Sequence, residues 1–269
     1  MTAPARRGDA ADIWREAVLI RREWLDHGLS GSPADRETAE HSVAGIYARI
    51  GRPRPQFEWV DSPAKALALV RGWPTLDDLY EWIRRPVGPP VLASDVATVA
   101  SRLRAALSAG VTHTDPELSP PRRPGKKQER WPELPPLDAL ARGVPLPVVL
   151  HQAVRGALHR SLGNGFRHPV RAALGPDTPV CWYGQQDACW IGYYDTLRRL
   201  GLAGWDADTS DHFGQWADLA RATGWWWPGD ELCVLVDRPA RVRVAPVPGG
   251  WHDEVALTTV EYRDGWRVD

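Results

Sequence analysis

The chain has 269 residues and a formal net charge of -1, long enough to bury a sizeable core as one large domain or two small ones. Its 33 basic residues are cancelled by 34 acidic ones, so no global field draws it to nucleic acid or an anionic membrane; only a local basic groove would. Only three of those basic residues are Lys, and the surplus of Arg beside 25 Pro and 24 Gly reads as GC-rich coding rather than as a phosphate-binding signal.

The opening "MTAPARRGDAADIW" has no apolar core before Asp12, and no run approaches the ~20 apolar residues that span a bilayer. A cytoplasmic protein without membrane segments is expected. Ile13, Trp14, Ala17, Val18, Ile20, Trp24 and Leu25 recur at helical spacing, with Gly28 as a stop. A second helix is predicted from the Ser32 cap with Pro33 at its first position, giving a helical hairpin. Phe57 to Val60 suits a short strand, and Ser62-Pro63 starts another helix. "TLDDLYEWIRR" and "LASDVATVASRLRAALSAG" supply two more.

Residues 1–110 thus form an N-terminal helical region. From 111 to 136 the periodicity stops in a Pro-rich stretch carrying Lys126 and Lys127, read as an exposed connection or as a basic clamp over a ligand. Helical spacing returns in "LPVVLHQAVRGALHRSL", where His151, Arg155 and His159 lie one turn apart. That stripe is read first as a solvated flank, with a binding face as the sharper alternative. Residues 137–269 are Trp-rich, with helices expected over 186–200 and in "DHFGQWADLARATG". Strands are expected at Leu232 to Val236, in "ARVRVAP" and around an Asp264-Gly265 hairpin turn. The fold class is α+β: a mostly helical body with a small C-terminal antiparallel sheet, the two regions packed as one domain.

"CWYGQQDACWIGYYD" concentrates amides, carboxylates and rings in 15 residues, of the chain's 15 Trp, 6 Tyr and 3 Phe. On a helix, Gln186, Trp190 and Tyr194 form a ladder and Asp187 sits beside it. Polar groups on such a face need partners, because burial without them costs several kcal/mol. Two readings stand: a cap that ties the helix to neighbouring loops, or polar anchors in an aromatic pocket. Trp225, Trp226 and Trp227 precede Pro228 and serve either as a stacking surface for a planar ligand or as a rigid plug. His252 beside Asp253 adds a group that titrates near neutrality or is a turn histidine without chemistry, and Arg238 adds a residue type favoured at binding hot spots. The catalytic candidates are therefore Asp187 and His252. The binding candidates are Gln186, Trp190, Tyr194, Trp225, Trp226, Trp227 and Arg238.

Cys181, Cys189 and Cys233 are odd in number and lack close pairs, so reduced thiols are expected rather than a disulfide scaffold or zinc site. The phosphate loop, the dinucleotide fingerprint, the zinc helix H-E-x-x-H and the G-x-S-x-G elbow are all missing, and no cofactor or metal is expected. Ser62 and Cys189 are the nucleophiles worth testing.

"QQDACW", "GYYD", "ATGWWWPGDELCVLVDRP" and the terminal "YRDGW" together resemble an uncharacterised bacterial family frequent in high-GC genomes. "PADR" and "WVDSP" extend the likeness upstream. The matching positions are Gln186 (or Gln185), Asp187, Trp190, Trp226, Trp227, Pro228, Arg238, Pro239, His252, Tyr262, Asp264 and Gly265. The H-x-x-x-G-P-A element of that family is replaced here by "HDEVALTTVEYRDG", which puts the role of the hairpin in doubt. The resemblance implies a whole domain and brings no activity. The functional expectation is a peptide- or small-molecule-binding protein with a Trp-lined pocket, acting as a cofactor-independent acid/base enzyme. The alternative is a non-enzymatic module for a peptide or protein partner.

Overall fold

A computed structural model of the chain describes residues 9–85, 92–111, 130–180, 183–250 and 252–269. Asp9 caps helix α1 (Ala10–Gly28), which buries Trp14, Ala17, Ile20 and Trp24. Helix α2 (Arg36–Arg49) starts later than expected, and its cap is Asp35 rather than Ser32. The reason is tertiary. The Ala34 N–H is held by Asp237 and the Asp35 N–H by the Ala222 carbonyl, both at 2.8 Å, so these residues tie to the C-terminal half before the helix begins. Strand β1 (Gln56–Val60) is followed by α3 (Pro63–Leu69), capped by Ser62 as expected. Helices α4 (Leu76–Arg84), α5 (Leu92–Ala109) and α6 (Pro136–Ala141) come next. Residues 112–129, including Lys126 and Lys127, lie outside the described residues, and so does the clamp reading.

Helix α7 (Leu146–Leu150) then passes into two π-helical stretches, π1 (His151–Gly156) and π2 (His159–Arg167), and on into α8 (His168–Leu174). The wider π turn is rare and is frequent at functional sites. At Gly165 this rod meets the second sheet so closely that a Cβ would lie 2.4 Å from the Val255 carbonyl oxygen. A 3₁₀ turn (Gln185–Asp187) leads into α9 (Ala188–Arg199), and α10 (Ala207–Ala222) follows. Gly192 lets α9 cross α1, where a Cβ would meet Trp24 at 2.8 Å. The Trp24 indole donates to Asp195 at 2.9 Å across the same crossing.

Strands β2 (Trp226–Trp227) and β3 (Leu232–Val236) join β1 in a mixed sheet of order β1-β3-β2, with β1 parallel and β2 antiparallel to β3. Strands β4 (Arg241–Pro246), β5 (Val255–Glu261) and β6 (Arg267–Val268) make the expected C-terminal antiparallel sheet. Its hairpin turns at Asp264-Gly265, where Gly265 adopts φ 87° and the Trp266 N–H bonds Asp264 at 3.1 Å. The fold is α+β, as read from the sequence. One apolar cluster draws on Val43 and Leu107 from the first region and Trp190 and Leu235 from the last. A smaller one, with Phe166, Trp225, Trp227 and Tyr262, fills the space by the sheets. Among the described residues no helix is long and apolar enough to cross a membrane.

Candidate functional site

The start of α9 lies beside the π-helical rod, and a cleft of about 680 Å³ opens between them and α5. Gly184 shapes its floor. With φ 150° and a would-be Cβ only 2.4 Å from the Gly224 carbonyl oxygen, this position has no room for a side chain. The Gly184 N–H donates to Asp187 Oδ2 at 2.9 Å, and the Trp190 indole donates to Oδ1 at 2.8 Å. Asp187 therefore closes the helix start and also lines the cleft.

Burial pushes the Asp187 carboxyl up to about 6, against the pull of the Gly184 N–H, the Trp190 indole, Arg167 and Arg104. Across from it the rod contributes His151, Arg155, His159 and Arg167, and α5 contributes Arg104. Arg155, His159 and Arg104 are exposed at the mouth; Gln186 and Trp190 are buried, and Asp187 is half-buried. Both imidazoles are held below their ordinary value, by burial first and then by cationic neighbours, Arg155 among them for each. Gly163 leaves space on the rod, because a Cβ there would press the His159 ring at 3.1 Å. Cys189 also lines the cleft. Burial, then the Asp187 charge, pushes its thiol up to about 12, so it is no activated nucleophile.

An aromatic wall backs the polar face. Tyr183 stacks on Trp226 at 5.0 Å, and Trp190 meets Trp216 at 5.9 Å and Tyr194 at 6.5 Å. Tyr194 stands in this second layer, its hydroxyl 2.6 Å from Ser108 Oγ, and does not line the cleft.

The cleft lining thus takes in Gln186, Asp187 and Trp190 and none of the other catalytic or binding candidates. Trp225, Trp226 and Trp227 are fully buried. Strand alternation sends Trp226 into the main cluster and its two neighbours into the smaller one, so the triplet is the plug and not a stacking surface. Arg238 is 2 % exposed and donates to the His27 and Ala220 carbonyls at 2.7 and 2.6 Å, fastening the ends of α1 and α10. His252 is buried away from the cleft, beside Glu254, which accepts hydrogen bonds from Arg160. The imidazoles at the cleft are His151 and His159 instead. The reading of their stripe as a solvated flank describes the exposure of Arg155 and His159 and misses the face they border. Arg104 carries no local signal that sets it apart in an Arg-rich chain. Ser62 donates to Asp264 at 2.6 Å, caps α3 and is remote from the cleft.

Among the described residues no group of three or more His, Cys, Asp or Glu is placed to hold a metal ion. No family model, curated protein or solved structure matches this chain.

Proposed function

We propose that this cleft binds a small planar molecule and that Asp187 exchanges a proton with it, making the protein a cytoplasmic acid/base enzyme that works without a cofactor. One observation carries the reading: a carboxyl group fixed by two N–H donors, raised to about 6, in a cleft of about 680 Å³. That volume suits a metabolite-sized ligand, and a group titrating just below neutrality serves as a base that can return its proton. Gln186 and Trp190 orient the ligand, with Tyr183 as a further ring surface. Kinship with the uncharacterised bacterial family belongs to the same reading and rests on the motifs around Asp187 and Trp190. The open mouth with exposed Arg104 and Arg155 favours a second reading, a binding module without chemistry.

A metabolite extract passed over the protein distinguishes the two. The enzyme reading expects wild type to deplete one compound and form another, at a rate reduced by about 10²–10⁴ in Asp187→Asn. Asn exchanges a penalised charge for one mismatched hydrogen bond, so stability near pH 7 should shift by no more than about 1–2 kcal/mol. Retention without conversion supports the binding module. Ala97→Trp fills the cleft from α5 while leaving each of its polar side chains unsubstituted. If that variant retains and converts the same compounds as wild type, the cleft is not the site.

A further inference from the structure

Among the described residues the charges lining the cleft do not balance: three guanidinium groups, Arg104, Arg155 and Arg167, face one carboxylate, Asp187. Several arginines elsewhere meet acids: Arg49 contacts Asp208 and Asp211, Arg160 contacts Glu254, and Arg198 and Arg199 contact Asp195. Arg104 and Arg155 make no such ion pair among the described residues. They lie over aromatic faces instead, Arg104 5.6 Å from the Trp190 ring and Arg155 5.7 Å from the Tyr193 ring. A ring holds a guanidinium in place without occupying all of its N–H donors, which leaves the fork able to grip an oxyanion.

With the His151 and His159 imidazoles held toward the neutral form, the described lining stays net positive while Asp187 is ionised. A cleft of one sign with low-dielectric walls concentrates its field on the ligand. A phosphate monoester carries close to two negative charges at neutral pH and suits a lining of that sign. The rings of Trp190 and Tyr183 border the same space and offer an apolar surface for whatever the phosphate is attached to.

Resting on the reading of the cleft as a ligand site, we propose that its ligand is a phosphate monoester of a planar or aromatic group. The phosphate is held by Arg155 and its neighbour Arg104, and the ring lies against Trp190. Substrate selection then resides at the mouth and proton transfer at the floor. Arg155 is a binding residue and not a catalytic one.

Phenyl phosphate, phenol, inorganic phosphate and succinate serve as titration probes by calorimetry. Phenyl phosphate should bind saturably, at least ten-fold more tightly than phenol, and with an affinity that falls as sodium chloride is raised. Arg155→Gln should weaken it about ten-fold, because the exposed Arg155 contributes a charge-assisted contact and little to folding. Arg142→Gln, an exposed arginine outside the cleft lining, should not. Inorganic phosphate binding alone, with no gain from the ring, or succinate binding as tightly as phenyl phosphate, overturns the phosphate monoester. Phenol binding as well as phenyl phosphate, in wild type and in Arg155→Gln alike but not in Ala97→Trp, also overturns it while leaving the cleft as a ligand site. If Ala97→Trp binds phenyl phosphate like wild type, the cleft reading fails as well.

Discussion

Two aromatic-rich stretches, 183–194 and 225–233, have similar compositions and opposite fates. In the second the chain is extended, and β2 pairs with β3 while packed clusters cover both faces. Alternation sends every indole of the triplet into a covered layer, and none reaches solvent. In the first the chain turns through a 3₁₀ segment into a helix end. One side packs against α1 and α10, and the other is left facing the cleft with Asp187 and Gln186 on it. Density of rings marks where this chain packs. A polar group at an uncovered helix end marks where it is open.

The largest test of that contrast is Trp226→Ala. Truncating a fully buried indole that stacks on Tyr183 and meets Trp216 should cost about 3–5 kcal/mol in urea unfolding. A loss below about 1 kcal/mol breaks the description of the triplet as a plug.

A smaller effect belongs to the wall behind the cleft. His212 accepts the Trp216 indole N–H at 3.2 Å, and burial, aided by Arg49, pushes its imidazole from 6.5 down to about 4. Between those values the unfolded chain binds the proton more readily than the folded one. The stabilising contribution is therefore complete above about pH 6.5 and lost as pH falls toward 4, amounting to about 2–3 kcal/mol. Urea unfolding of wild type and His212→Gln at pH 7 and pH 4.5 should show that acid loss in wild type and a reduced one in the variant. Equal losses remove His212 as the cause.

Local chemistry made much of the fold readable. The apolar period of α1, the Ser62 cap, the β-branched run of β3 and the Asp264-Gly265 turn each act over a few residues, and each appears where the sequence places it. The parallel pairing of β1 with β3 was not readable, because it joins strands from opposite ends of the chain and has no turn to announce it. The late start of α2 was hidden for the same reason, since its competing acceptors, Asp237 and Ala222, are distant in sequence.

The site was half legible. Gln186, Asp187 and Trp190 stand out because polar groups on an aromatic face must find partners. Arg238 and His252 are candidates in the sequence too, yet Arg238 finds two helix-end carbonyls and His252 is buried beside Glu254, facts that only tertiary packing supplies. The π turns escape a reading based on 3.6 periodicity, so the His151, Arg155 and His159 stripe is visible in the sequence but its place beside Asp187 is not.

The central claim is a titratable acid at the cleft floor, and Asp187 can be observed directly. Carboxyl ¹³C NMR titration, with its resonance assigned by its loss in Asp187→Asn, should give a midpoint near 6. A midpoint at the ordinary aspartate value near 3.8 would mean that water solvates this group freely, and it would contradict the account.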